Sequence, residues 1–315
     1  MKRISLLLLI LVMSYPLQAF VHAVGQNIED GDGNPALMRG MGLGGWLVPE
    51  GYMLHTPGMG SPTSIRAQVV DVIGETGADE FYAAYHDNYV TREDIAELAE
   101  WGFDHVRMPF HYNMFSPAIG VWSEWGFEVT DSLIAWCSDV GMHVVLDMHC
   151  APGGQNDGPI SDSDGTARLW LEDSNKVHTI QIWEEIARRY VDEAWVGGYD
   201  LLNEPVLPEG ATVQEFRELY VNLKTAIRAI DTNHILFIEG NWYATDFNNL
   251  TPPFDGNMSY SFHKYWSENN SGSIQGYLNM RSTWGVPLWM SETGENSNTW
   301  FYDAVQLFEE HDIGW

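Results

Sequence analysis

Short apolar runs recur along nearly the whole chain, at 38–44, 105–110, 143–148, 198–203, 235–240, 258–263 and 287–291, and a further one opens at Asp312. Between them lie stretches with helical periodicity. A strand buried on both faces reads as an unbroken apolar run, and a parallel strand needs a crossover to bring the chain back, so this alternation predicts a parallel sheet clothed in helices. Eight such units in one domain suggest a (β/α)8 TIM barrel rather than a doubly wound open sheet. The eighth run stops almost at once, at Asp312-Ile313-Gly314-Trp315. The fold class expected is therefore an α/β (β/α)8 barrel truncated within strand eight. No Gly-x-Gly-x-x-Gly follows a strand in a dinucleotide-binding context and no Walker loop occurs, which disfavours nucleotide cofactors.

The intervening segments carry helix signals. Thr91 with Asp94 and Thr212 with Glu215 resemble capping boxes. From Ser174 to Tyr190, the residues Val177, Ile180, Trp183, Ile186, Ala187 and Tyr190 fall on one face, as expected of a helix packed outside a sheet. A long insertion from Val48 to Val90 follows the first run. It should rise over the C-terminal face, where barrel active sites are built.

The first 23 residues place Lys2 and Arg3 before an apolar run from Ile4 to Met13, with small residues at Ala19 and Ala23. That is the pattern of a secretory signal, and the apolar run is shorter than the ~20 residues that span a bilayer. The expected organisation is a signal peptide at 1–23 and a catalytic domain at 24–315, with a secreted (extracellular or periplasmic) product that has no membrane association after cleavage. A balance of 15 basic against 44 acidic residues, a formal charge of −29, repels nucleic acid and anionic surfaces and favours a neutral substrate. A monomer is expected. The two cysteines, Cys137 late in a helix and Cys150 past the following strand, should lie near opposite barrel ends, about 20 Å apart at the usual strand rise, and unbridged.

Chemistry gathers at the ends of the runs. Tyr199-Asp200-Leu201-Leu202-Asn203-Glu204-Pro205 ends in an amide, a carboxylate and a proline, and Pro287-Leu288-Trp289-Met290-Ser291-Glu292-Thr293-Gly294 repeats the device. Two strand-end glutamates, Glu204 and Glu292, meet the requirement of glycosidic bond hydrolysis: one acid/base and one nucleophile or base. Arg107 interrupts an otherwise apolar run and needs partners, for which nearby carboxylates are the obvious choice, either as a structural ion pair or to keep a nucleophile ionised. His149, His263 and Tyr265 also end runs, as substrate contacts or as hydrogen-bonded core residues. None of the 11 histidines shows zinc-site spacing, so no metal is expected. Of 14 tryptophans, Trp46, Trp242, Trp266 and Trp289 stand beside strand ends, where flat apolar faces suit pyranose rings. Trp183, at helical spacing, reads as packing.

These motifs resemble glycoside hydrolase family 5, the cellulase-like family of retaining barrel enzymes. The resemblance runs through His105-Val106-Arg107-Met108-Pro109, Leu146-Asp147-Met148-His149, Leu202-Asn203-Glu204-Pro205, His263-Lys264-Tyr265 and Glu292-Thr293-Gly294. It implies the acid/base at Glu204 after strand four and the nucleophile at Glu292 after strand seven. Arg39-Gly40-Met41-Gly42-Leu43-Gly44-Gly45-Trp46-Leu47-Val48-Pro49-Glu50 and Ala151-Pro152-Gly153-Gly154-Gln155-Asn156 look most like the exo-β-1,3-glucanase branch. There a glutamate at the place of Glu50 helps bind the terminal glucose. The resemblance further implies that Asn203 bonds the sugar 2-hydroxyl, Arg107 and Tyr265 orient Glu292, and His149 and His263 line the subsite of the sugar being cleaved. Ser291 and Thr293 depart from the family pattern, which usually has glycine before the nucleophile and often an aromatic residue after it. The family's sugar-stacking tryptophan after strand eight would fall beyond Trp315.

The expectation is thus a secreted retaining β-glucan hydrolase, exo-β-1,3-glucanase or β-glucosidase-like, with no cofactor. Its partners would be β-linked poly- or oligosaccharides, bound by Glu50, Arg107, His149, Asn203, His263, Tyr265 and Trp242. Endo-β-1,4-glucanase action is the alternative within glycosidases. A non-catalytic carbohydrate-binding protein and a metal-dependent barrel hydrolase are the alternatives of other classes.

Overall fold

A computed structural model describes residues 20–56, 58 and 60–315 of the chain. A hairpin of β1 (His22–Val24) and β2 (Asn27–Glu29) leads into a parallel sheet. The sheet strands are β3 (Gly40–Gly42), β4 (His105–His111), β5 (His143–Cys150), β6 (Val196–Asp200), β7 (Leu236–Glu239), β8 (Met258–His263) and β9 (Leu288–Glu292). They pair in sequence order, each with the next. The eighth apolar run closes the ring. Gly314 bridges Trp289 in parallel register, its carbonyl accepting from Met290 N at 2.9 Å, while Trp315 donates to Met38 O and accepts from Gly40 N, each at 2.7 Å. A side chain at position 314 would meet the Met38 backbone at 2.9 Å, so only glycine lets the two ends of the sheet approach this closely. The expected barrel is the observed one.

The period of two along each strand sorts side chains into two layers. Val106, Met108, Phe110, Val144, Leu146, Met148, Leu236, Ile238, Tyr260 and Phe262 belong to the large outer core under the helices. Val145, Ile235, Phe237 and Trp289 face inward near the strand starts, and there Val21 and Ile28 of the hairpin region, with Met38, plug the barrel. Further along the strands the inward positions turn polar: Arg107, Asp147, Asp200, Glu239, Ser261 and His263 are all buried. An interior that is apolar at one end and ionic at the other positions the site.

Helices cover the outside. Both expected capping boxes form, at Thr91 with Asp94 and at Thr212 with Glu215, opening the helices Arg92–Glu100 and Val213–Arg228. In the helix Asp173–Tyr190 the buried stripe is His178, Thr179, Ile182, Trp183, Ile186, Ala187 and Tyr190. Val177, assigned to that face from the sequence, is 47% exposed, because the stripe is rotated toward 179 and 182 and leaves it on the rim. Trp183 is core, as expected, its indole donating to Leu201 O at 3.1 Å. Trp46 and Trp289, read as candidate sugar platforms, are also core: Trp46 donates to His86 O, and Trp289 packs on Phe237 with ring centroids 4.4 Å apart. The insertion after β3 carries the long helix Pro62–Tyr89.

The cysteines Cys137 and Cys150 are both free and buried. The leader expected at 1–23 lies outside the described residues up to position 19. Residues 20–23 are built into the fold: Phe20 sets its ring edge on His234, Val21 is buried, and Ala23 N donates to Asn257 Oδ1 at 2.8 Å. Among the described residues no helix is long and apolar enough to cross a membrane.

Candidate active site

Arg107, inward on β4, is 2% exposed and organises the polar end of the barrel. Its Nε donates to Asp200 Oδ2 at 2.9 Å and its Nη1 to Glu292 Oε2 at 2.8 Å. Nη2 faces Asn203 Oδ1 at 2.9 Å, Asp147 Oδ2 at 3.1 Å and Glu239 Oε1 at 3.1 Å. The partners demanded by a buried guanidinium are therefore carboxylates from β5, β6, β7 and β9 together. Glu292, at the end of β9, also receives the Tyr265 hydroxyl on Oε1, so each of its oxygens is held.

Glu204 sits just past β6 with φ of +44°, a left-handed conformation that a non-glycine residue adopts only when its surroundings enforce it. Its amide donates to Glu239 Oε2 at 2.6 Å, its carbonyl accepts from Asn156 Nδ2 at 3.0 Å, and its carboxylate meets His263 Nδ1 at 2.7 Å. The loop after β5 supplies the rest of the scaffold. Gln155 donates through Nε2 to His149 O at 2.6 Å and to Asn203 O at 2.7 Å, and accepts from Ala151 N at 3.0 Å, stapling the end of β5 to the segment that carries Glu204.

Carboxylate oxygens of Glu204 and Glu292 lie within 4.8 Å of one another and of a His263 ring nitrogen. The two glutamates are biased to opposite protonation states. Burial raises the Glu204 pKa; the His263 contact lowers it, but Glu292 and Glu239 nearby add to the rise, and the net shift is upward. Burial also acts to raise Glu292, but His263 and Arg107 outweigh it and hold it down at about 2. Burial disfavours charge on His263, yet Glu239, Glu292 and Glu204 around it raise its pKa well above the ordinary value. His149 behaves alike: Asp147 at 2.8 Å and Glu50 at 3.6 Å overcome its burial and raise it. The arrangement sets a carboxyl biased toward its proton beside one biased toward its anion. Ligand atoms of Glu204, His263 and Glu292 lie within 4.8 Å of one another, a spacing that could hold a cation; here His263 gives Nδ1 to Glu204 and Nε2 to Glu239.

These residues open onto a cavity of about 600 Å³ lined by Glu50, Tyr52, His149, Tyr243, Tyr265, Trp266 and both glutamates, among others. Of the residues singled out from the sequence, Glu50, Arg107, His149, Asn203, Glu204, His263, Tyr265 and Glu292 are brought together here. Trp242 is not. It is 63% exposed on a left-handed turn, 5.7 Å from the ring of Tyr243, and it is Tyr243 that faces the cavity. Three consecutive positive φ angles, 56°, 57° and 58° at Trp242, Tyr243 and Ala244, swap the side expected from the run of sequence. Sequence reasoning also passed over Glu239, Asp147 and Asp200 as charged members of the site. For Asp200, burial and then the Glu239 charge hold its carboxyl well above the ordinary value despite Arg107. The signal was present: 235–240 ends in Glu239-Gly240, a third strand-end glutamate.

With this geometry, the matches to known proteins become decisive. The model of the cellulase family, glycosyl hydrolase family 5, matches residues 66–315. The chain belongs to glycosyl hydrolase family 5. A β-xylosidase of Phanerodontia chrysosporium is 35% identical over 253 residues, covering 78% of this chain and 52% of that protein. Endoglucanase C of Acetivibrio thermocellus is 33% identical over 59% of this family 5 chain and 53% of its own length. A probable glucan 1,3-β-glucosidase A of Aspergillus clavatus is 27% identical over 66% and 51%. The chain thus spans about half the length of these relatives. In structure, rutinosidase from Aspergillus niger superposes with a TM-score of 0.71 at 15% identity over 87% of this chain and 86% of that one, a likeness of fold.

Proposed function

We propose that this family 5 chain is the catalytic part of a secreted, retaining β-glycosidase that removes terminal glucose from β-1,3-glucan. The reading rests above all on one observation: two glutamates within 4.8 Å, one biased toward the acid and one toward the anion. Glycosidases with carboxyl groups about 5–5.5 Å apart retain configuration, whereas inverting pairs stand at about 6.5–9.5 Å to admit a water.

In the first step Glu292 attacks the anomeric carbon as the bond to the leaving oxygen breaks, and Glu204 gives its proton to that oxygen. Arg107 and Tyr265 hold both oxygens of Glu292, so attack needs no reorientation. In the second step Glu204, now a carboxylate, takes a proton from water, the water oxygen bonds to the anomeric carbon, and the ester to Glu292 breaks. Asn203, fixed by Arg107 and by His149 at 3.4 Å, is the amide for the sugar 2-hydroxyl. No step calls for a cofactor. Buried Glu50, beside His149 and lining the same cavity as the two glutamates, fits the contact to a terminal glucose that exo action needs. The likeness to the glucan 1,3-β-glucosidase supports the linkage. The likeness to endoglucanase C favours a second reading, internal cleavage of β-1,4-glucan.

For secretion, the packing of Phe20, Val21 and Ala23 supports a leader that ends before Phe20, after Ala19, rather than at residue 23. A monomer acting on neutral glucan fits the formal charge of −29. The product profile on laminarin and on cellulose oligomers tests the reading. Glucose alone from laminarin from the earliest times is expected; a ladder of cellulose fragments and no action on laminarin would establish the endo reading. No release from either, with tight binding retained, would mark a carbohydrate-binding protein.

A further inference from the structure

Glu239 at the end of β7 is completely buried, and both of its carboxylate oxygens are committed to the acid/base side of the site. Oε2 accepts the Glu204 amide at 2.6 Å. Oε1 accepts from Arg107 Nη2 and meets His263 Nε2, each at 3.1 Å. The opposite nitrogen of the same imidazole meets the Glu204 carboxylate at 2.7 Å. Glu239 therefore reaches Glu204 twice, once through its backbone and once through its carboxylate by way of His263. Its own backbone is anchored as well, since the Tyr220 hydroxyl donates to Glu239 O at 3.0 Å.

We infer that Glu239 is a positioning residue for Glu204: it holds the left-handed backbone from which the acid/base projects and fixes the His263 ring whose other nitrogen bonds the reacting carboxyl. This rests on the reading of Glu204 as the acid/base. A hydrogen bond to one imidazole nitrogen determines which proton the other presents. With Nε2–H donated to Glu239, the side of His263 facing Glu204 depends on the Glu239 charge. The charged groups around His263 are Glu204, Glu239 and Glu292, the last at 3.8 Å, with Asp200 within electrostatic reach and Arg107 joined through Glu239. Removing the Glu239 charge leaves Arg107 in place and withdraws one of these anions. Glu239 is fully buried and is not among the residues that line the cavity, so its effect on the reacting groups runs through Glu204, His263 and Arg107.

A leaving-group experiment separates positioning of the acid from general structural support. Proton donation matters for a poor leaving group and hardly at all for a good one, and general acid/base catalysis supplies about 10²–10⁴-fold. Glu239→Gln is expected to lower kcat/KM for phenyl β-glucoside by roughly 10- to 100-fold, part of that factor. For 2,4-dinitrophenyl β-glucoside, kcat/KM should stay within about threefold of the wild type, because its departure needs no proton. Equal losses on both substrates, or none on either, overturn the inference. An NMR titration of His263 gives a readout that needs no turnover: the imidazole should lose its proton at lower pH in Glu239→Gln than in the wild type. An unchanged titration overturns the inference even if the wild type cleaves neither glucoside, an outcome that would sink the proposed function separately. If Glu239→Gln does not fold, Glu239→Asp serves. It keeps the charge but shortens the reach to the Glu204 amide, so the loss on the phenyl glucoside should persist with the His263 titration near that of the wild type.

Discussion

Glu204 and Glu292 are the same functional group in one cavity, and what distinguishes them is the company each keeps. Glu292 has Arg107 at 2.8 Å and the Tyr265 hydroxyl; Glu204 has burial and two neighbouring carboxylates against a single histidine. The sign of the pH dependence follows. Glu292 is depressed from 4.5 to about 2, so it stays ionised, and the stability its partners confer is present above about 4.5 and lost as pH falls toward about 2. Glu204 is raised, so it remains protonated above the ordinary glutamate range. A plot of kcat/KM for phenyl β-glucoside against pH should show an alkaline limb that falls as Glu204 ionises, displaced upward from the ordinary glutamate range, while the 2,4-dinitrophenyl substrate should lack that limb. Identical limbs for the two substrates would place the titrating group elsewhere. At this scale the sequence was legible where a polar side chain interrupts an apolar run, as with Arg107, Glu204 and Glu292. Glu239 carries the same mark but lacks the Asn-Glu-Pro setting that drew attention to Glu204. The exchange of Trp242 for Tyr243 was hidden because it depends on backbone angles that leave no pattern in the sequence.

The elements were read from periodicity, and they were found where periodicity is long enough to speak. Two capping boxes and seven apolar runs formed as expected, because each is a local preference that the tertiary structure reinforces. The hairpin of β1 and β2 was missed, since strands of three residues carry no period, and its first residues fell within the leader pattern. It nevertheless supplies Ile28, 6% exposed, to the plug that closes the barrel at the end away from the site. Ile28→Asp removes an aliphatic contact worth about 1.5–3 kcal/mol and buries an unpaired carboxylate, a combined loss of about 3 kcal/mol or more. Thermal denaturation should show Tm lower by roughly 6–12 °C for a domain of this size. The KM of the folded enzyme should not change. An unaltered Tm would mean that the hairpin does not seal the inner core.

Across the whole molecule, closure is what makes the site. Residues far apart in sequence face Arg107 because parallel strands in sequence order bend into a ring whose ends meet at Gly314 and Trp315. The count of runs predicted this ring, whereas linkage and chain-end preference depend on loop positions that strand patterns do not encode. Glu50, Tyr52 and Tyr243, which shape the cavity, all stand outside the strands. Double displacement by the two glutamates sets the anomeric configuration of the first product, which proton NMR reads as it is released. With an aryl β-glucoside as substrate, β-glucose should accumulate first and α-glucose should appear only as mutarotation proceeds; initial release of α-glucose would mean inversion and rule out double displacement.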